Sequence, residues 1–121
     1  MERCGMERCG MERYGMEYCG MEYYVVFITA SNEEEAATIA TVLVNEGLAK
    51  CVNIIKNIRS IYIWQGKVED GAESMMVAKT KKTDFPALIK RVKELHGYDV
   101  PEIIAIPIVD GSEDYLKWLD S

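Results

Sequence analysis

An α+β sandwich, with one antiparallel sheet and helices packed on one of its faces, is the fold class this sequence predicts. Three observations predict it. Segments of strand period and of helix period follow one another as strand, helix, strand, strand, helix, strand, and then a short terminal helix. The two middle strands read as a single long β-hairpin bent at one step. Pro107 lies inside the last strand, where its missing N–H is tolerated only at a sheet edge. An order of this kind, with its last strand at an edge, is the split βαβ or ferredoxin-like plan.

Each element has a local reason. Tyr23 to Ala30 (YYVVFITA) is a continuous apolar run of strand length, suited to a central strand. Ser31 and Glu34 read as a capping box that opens a helix, Ala36, Ile39, Ala40 and Leu43 as its apolar stripe, and Gly47 as its stop. Thr83 or Asp84 is expected to cap a second helix that carries Pro86 in its first turn. Phe85, Leu88, Ile89, Val92 and Leu95 form its buried stripe, and Gly97 ends it. Ile103 to Val109 is the last strand. Ser112 then caps a short helix whose Tyr115, Leu116, Trp118 and Leu119 are expected to cover the sheet.

The stretch from Cys51 to Lys81 organises the rest. Cys51 to Ile55 and Ile58 to Val68 are rich in β-branched and aromatic residues, and Ser60 to Trp64 alternates aliphatic and aromatic side chains at the strand period of two. The polar Lys56-Asn57 step reads as a bulge. Asp70-Gly71 is the strongest turn dipeptide in the stretch, with Ser74 to Lys81 as the returning strand. About fifteen residues is long for a strand. An arm of that length projects past the core of a small domain, and its apolar sides then need cover from another subunit, with Tyr62, Ile63 and Trp64 as interface residues.

The chain has 121 residues, enough for one domain. Residues 1–22 form a repetitive tail and 23–121 the domain. The tail repeats MERCG, MERCG, MERYG, MEYCG, a period of five that builds neither a helical nor a strand face. Cys4, Cys9 and Cys19, with the methionine thioethers, are soft ligands of the type that suits Cu(I); the alternative is a tandem duplication of a coding start in which any repeat methionine serves for initiation. Nothing resembles a signal peptide or a membrane span, so a cytoplasmic protein is expected. Five Glu against three Arg up to Tyr24, and fifteen acids against eleven bases after it, make both parts acidic. That balance argues against nucleic acid or an anionic membrane as partner.

Catalytic patterns are missing. The sequence has no Gly-x-Ser-x-Gly elbow, Walker loop, Cys-x-x-Cys or glycine-rich dinucleotide turn, so a binding role rather than an enzyme is expected. His96 is the only histidine, which excludes a multi-histidine zinc centre within one chain. At a helix end it reads either as a cap or as a ligand. Cys51 reads as a small buried hydrophobe or a thiolate ligand. Lys67, Glu69, Glu73 and Lys79 read as solvated hairpin charges, or the lysines as cleft residues.

Several separated blocks carry a resemblance. Ala49-Lys50-Cys51-Val52-Asn53-Ile54, Ser60 to Lys67, Lys79-Thr80, His96 to Ile103 and Gly111 to Leu119 resemble the CutA family of divalent-cation tolerance proteins, over about residues 23–121. The resemblance implies a ferredoxin-like fold, a homotrimer built by the long strands, a cytoplasmic role in the response to metal ions, and no required catalytic step. It implies copper as the divalent ion, with Cys51 and His96 as ligand candidates, and no cofactor needed for folding. Gly97 stands where the family usually has proline, and Ile28 where some relatives carry a further cysteine. Two other classes fit the same chain. One is a trimeric small-molecule sensor similar to the PII signalling proteins, with Lys67, Lys79, Tyr98 and Glu102 as cleft-binding candidates and an anion such as a nucleotide as ligand. The other is a structural trimer that binds nothing tightly.

Overall fold

The computed structural model describes residues 22–121, so the tail assigned to 1–22 lies outside the described residues apart from Glu22. The elements are β1 (Tyr23–Ala30), α1 (Glu33–Asn45), β2 (Cys51–Trp64), β3 (Lys67–Lys81), a 3₁₀ turn (Lys82–Asp84), α2 (Phe85–Leu95), β4 (Ile103–Pro107) and α3 (Glu113–Asp120). One antiparallel sheet runs in the order β2-β3-β1-β4. This is the expected ferredoxin-like sandwich, and β4 with Pro107 is an edge strand as the missing proline donor requires.

The core lies on one face of the sheet. Val26, Ile28 and Ala30 of β1 alternate toward it, beside Met76 and Ala78 of β3. The stripe Ala36, Ile39, Ala40 and Leu43 of α1 covers them, with Leu88 and Val92 of α2. The other sheet face carries Val25 and Phe27 opposite Ile106 and Ile104, with Val77 and Met75 alongside. Ile104 and Ile106 remain exposed there.

The start of α1 is shifted by one residue from the expected box. Asn32 is the cap, its Oδ1 accepting the Glu35 N–H at 2.8 Å, and Glu35 rather than Glu34 reaches back to take the Ser31 N–H and hydroxyl at 2.9 and 2.8 Å. Asparagine caps as well as serine, and the register one residue later is the one that seats Ala36 and Ile39 on the sheet. Gly47, at φ 74°, ends α1 in the left-handed region as expected. α2 starts at Phe85 after the 3₁₀ turn, with Asp84 in the cap position but no side-chain cap bond, and it ends at Leu95 with His96, not Gly97, at the cap. β4 stops at Pro107 instead of running on to Val109. In α3, Ser112 caps and Leu119 is buried, whereas Tyr115 and Trp118 stay substantially exposed. Lys50 Nζ holds this helix from below, 5.2 Å over the Trp118 ring and 2.9 Å from Ser121 Oγ.

The hairpin is continuous but turns elsewhere than expected. Its turn is Gln65-Gly66, at φ 53° and 79°, the signature of a two-residue turn of type I′. Asp70-Gly71 lies within β3 instead, paired with Ile61 and Ser60, so Lys67 and Val68 belong to the returning strand. Asp70 is bound there by Arg59, at 2.9 Å from Nε and 2.7 Å from Nη2. The bulge falls at Lys56-Asn57: Ile55 pairs with Met75 but Ile58 with Glu73, and Asn57 takes φ 60°.

The candidate ligand cleft

The loop 96–102 crosses the end of the sheet at the point where the hairpin arm leaves it. α2 delivers His96 there and β4 takes the chain away at Ile103. Past the last β1–β4 pair, Ile28 with Ile103, the Thr29 carbonyl accepts a hydrogen bond from His96 Nε2 at 2.7 Å. Nδ1 of the same ring accepts the Tyr98 N–H at 3.0 Å. Together these bonds assign the proton to Nε2 and occupy both nitrogens. The His96 side chain is 0% exposed. Its packing against the Tyr98 ring, centroids 4.7 Å apart, completes a rigid corner.

Two carboxylates fasten this corner. Glu35 Oε2 accepts the Gly97 N–H at 2.8 Å, a bond closed to proline, and a Cβ at Gly97 would lie 3.0 Å from that oxygen. Burial pushes the Glu35 carboxyl up, but the N–H donors of Ser31 and Gly97 outweigh it and hold the group below the usual carboxylate range. Glu73 Oε2 accepts the Tyr98 hydroxyl at 2.6 Å. Burial, then this bond to Glu73, raises the Tyr98 phenol well above its ordinary value, so it stays protonated and donates. Glu73 is only 9% exposed, which corrects its reading as a solvated hairpin charge.

Between this corner and the arm lies a cavity of about 760 Å³. Thr29 and Glu73 line its inner end, Tyr98, Asp99 and Glu102 the loop side, and Ser60, Tyr62 and Trp64, with Arg59 and Ile61 between them in sequence, the arm side. The bulge decides which arm residues face it. Beyond Asn57 the face shared with Glu73 carries Ile58, Ser60, Tyr62 and Trp64, leaving Ile61, Ile63 and Val68 on the opposite face.

Of the cleft candidates, the structure brings together Tyr98 and Glu102 but neither lysine. Lys67 pairs with Trp64 beside the turn, and Lys79, at the other end of β3, is bonded to Asn53 Oδ1. The copper candidates are also apart. Cys51 pairs with Lys79, which pairs with Val25, whereas His96 binds Thr29 four residues, about 13 Å, further along β1. The Cys51 thiol instead lies 3.9 Å from the Tyr115 hydroxyl. Among the described residues no three His, Cys, Asp or Glu side chains form a metal-binding group. Within one chain, therefore, Cys51 and His96 do not fit a shared copper site. Ile28, where some relatives have cysteine, is fully buried in the core.

Sequence reasoning missed Glu73 and Glu35. The signal for Glu73 was a lone carboxylate immediately before the largely apolar stretch Ser74 to Ala78, at the step where a projecting arm meets the core.

Comparison with known proteins agrees with this architecture. Residues 24–121 match the family described as "CutA1 divalent ion tolerance protein". The chain is 53% identical over 95 residues to the "Divalent-cation tolerance protein CutA" of Thermus thermophilus, covering 78% of this chain and 92% of the relative. It is 45% identical over 95 residues to "Protein CutA 1, chloroplastic" of Oryza sativa, covering 78% of this chain but 54% of that longer protein. The solved structure of the Thermus thermophilus divalent cation tolerance protein superimposes with a TM-score of 0.78 at 52% identity, covering 80% of this chain and 94% of that one. The chain belongs to the CutA1 divalent ion tolerance family.

Proposed function

We propose that this chain serves the cell's tolerance of divalent cations as a cytoplasmic homotrimer that binds and does not catalyse. The observation that supports assembly is the arm. Ile61, Ile63 and Val68 form one apolar row at 62, 65 and 69% exposure, far from the helices that cover the base of the same strands. Neighbouring copies are the cover that such a row requires, and three copies follow from the family reading. Copper is the ion that a thiolate and an imidazole favour over hard cations. Since Cys51 and His96 are apart, a site using both is read as lying between subunits, and it requires His96, buried with both ring nitrogens bonded, to release one of those bonds.

Sedimentation at micromolar concentration tests assembly, and a monomer overturns it. Copper titration against a competing chelator tests the metal, in a chain whose Cys4, Cys9 and Cys19 are serine. Loss of binding in Cys51→Ser and His96→Ala is expected; if both bind as the parent does, these residues are not ligands.

The 760 Å³ cleft favours a second reading, a small-molecule sensor, because its size is that of an organic ligand rather than a bare ion.

A further inference from the structure

We infer that the cleft between the arm and the Tyr98 loop takes an organic ammonium ion, a diamine or polyamine, with Glu73 as its buried anchor and Tyr62 and Trp64 as its aromatic wall. This rests on the sensor reading and settles its ligand class, reversing the sign of charge that the lysines suggested.

Charge comes first. Lys79 is distant, and Lys67 shares the arm face of Trp64 without lining the cavity, so the lining side chains include Glu73, Asp99 and Glu102 as acids and Arg59 as the one cation. Arg59 is already held by both oxygens of Asp70. The acids are left without an internal counter-ion among the described residues, which selects a cation and repels a nucleotide.

Glu73 supplies the independent observation. A carboxylate that is nine-tenths buried ordinarily has a cation or several donors. Here Oε2 has the Tyr98 hydroxyl, while Oε1 has no hydrogen-bond donor among the described residues. Burial and Glu73 keep Tyr98 a neutral phenol, a donor that brings no positive charge to the carboxylate. An ammonium N–H satisfies Oε1 and neutralises the pair in one step.

The walls separate an organic cation from a metal ion. The acids do not converge as a chelate, so a bare ion has no ready coordination sphere in one chain. Tyr62, Trp64 and Tyr98 line the cavity, and aromatic rings are groups that attract ammonium ions and cover methylene stems. Asp99 and Glu102, both exposed on the loop, suit a second ammonium nearer the mouth. An elongated dication therefore matches the order of groups from inner end to rim.

Isothermal titration of the full chain with 1,6-diaminohexane, 1,6-hexanediol and MgCl₂ at one ionic strength tests this. The expected result is saturable binding of the diamine, at least about tenfold tighter than the diol or magnesium. Glu73→Gln, which keeps an acceptor for Tyr98, should weaken the diamine about tenfold or more, and Asp99→Asn or Glu102→Gln by a smaller factor. Glu113→Gln on α3 should change nothing. Should Glu73→Gln fail to fold, the exposed pair Asp99→Asn and Glu102→Gln carries the test. Equal binding of diamine and diol, magnesium binding as tight as the diamine, or affinity unchanged in the cleft variants overturns the proposal. Tight nucleotide binding at the cleft instead keeps the sensor reading and removes the amine. No small-molecule binding at all removes both, and the sedimentation and copper results stand apart from either.

Discussion

The base and the arm of the hairpin are one ladder with two different fates. From Ser74 to Lys81, β3 alternates buried and half-buried residues, because α1 and α2 cover one side of it. From Lys67 to Ala72 every residue of the same strand is exposed. Composition does not separate them, since Ile61, Ile63 and Val68 are as apolar as Val77 and Ala78. Cover does. Backbone pairing holds a strand in shape, but the apolar surface removed from water comes from what lies on its faces, and the arm has only other molecules to supply that.

The largest expected effect separates the two regions directly. Leu43→Ala removes a fully buried side chain from the core and should cost about 3 kcal/mol of folding stability, read by denaturant unfolding with the oligomer intact. Ile63→Asp on the arm should leave secondary structure unchanged yet weaken assembly by about 2 kcal/mol, seen as a concentration-dependent dissociation in sedimentation. If Ile63→Asp unfolds the domain, base and arm are not separable.

A smaller effect concerns the joint between them. Because the Glu35 carboxyl is held below its usual range, its contribution is complete above the unfolded value, near 4.3, and is lost as pH falls through the folded one. Glu35→Gln should therefore lower the melting temperature at pH 7 by the equivalent of about 1 kcal/mol. That gap should close below about pH 4. Smallest is Gln65→Asn, which suits the positive φ of the turn and should raise stability by about 0.5 kcal/mol, with no effect on assembly.

How much of this was legible follows from the range of each interaction. The stripe Ala36, Ile39, Ala40 and Leu43, the stop at Gly47 and the edge position of Pro107 depend on local geometry, and each stands as the sequence implies. The hairpin turn misled because Asp-Gly is the better local turn, whereas cross-strand pairing such as Arg59 with Asp70 places the chain reversal at Gln65-Gly66. Of the four residues read as cleft candidates, Tyr98 and Glu102 line the cavity and Lys67 and Lys79 do not. Strand alternation and a bulge decide where a hairpin charge ends up, and neither is visible until the turn is fixed. Glu73 was hidden for the same reason: its burial depends on a loop twenty-five residues away in sequence.

The extra residue at Lys56-Asn57 acts as a phase shifter. Below it, odd-numbered residues of β2 (Cys51, Asn53, Ile55) share the side away from α1 and α2; above it, even-numbered ones (Ile58, Ser60, Tyr62, Trp64) do. Deleting one of the two residues there would leave a regular ladder in which Ile58, now two residues after Ile55, still pairs with Glu73, so both rows of the arm would keep their faces. Pairing the full-length strand straight through, with no bulge, would instead set Ile58 opposite Ala72, turn Tyr62 and Trp64 outward and close Ile61 and Ile63 over Glu73. One backbone step thus decides which row faces the cavity and which faces away from it, with no change in any side chain.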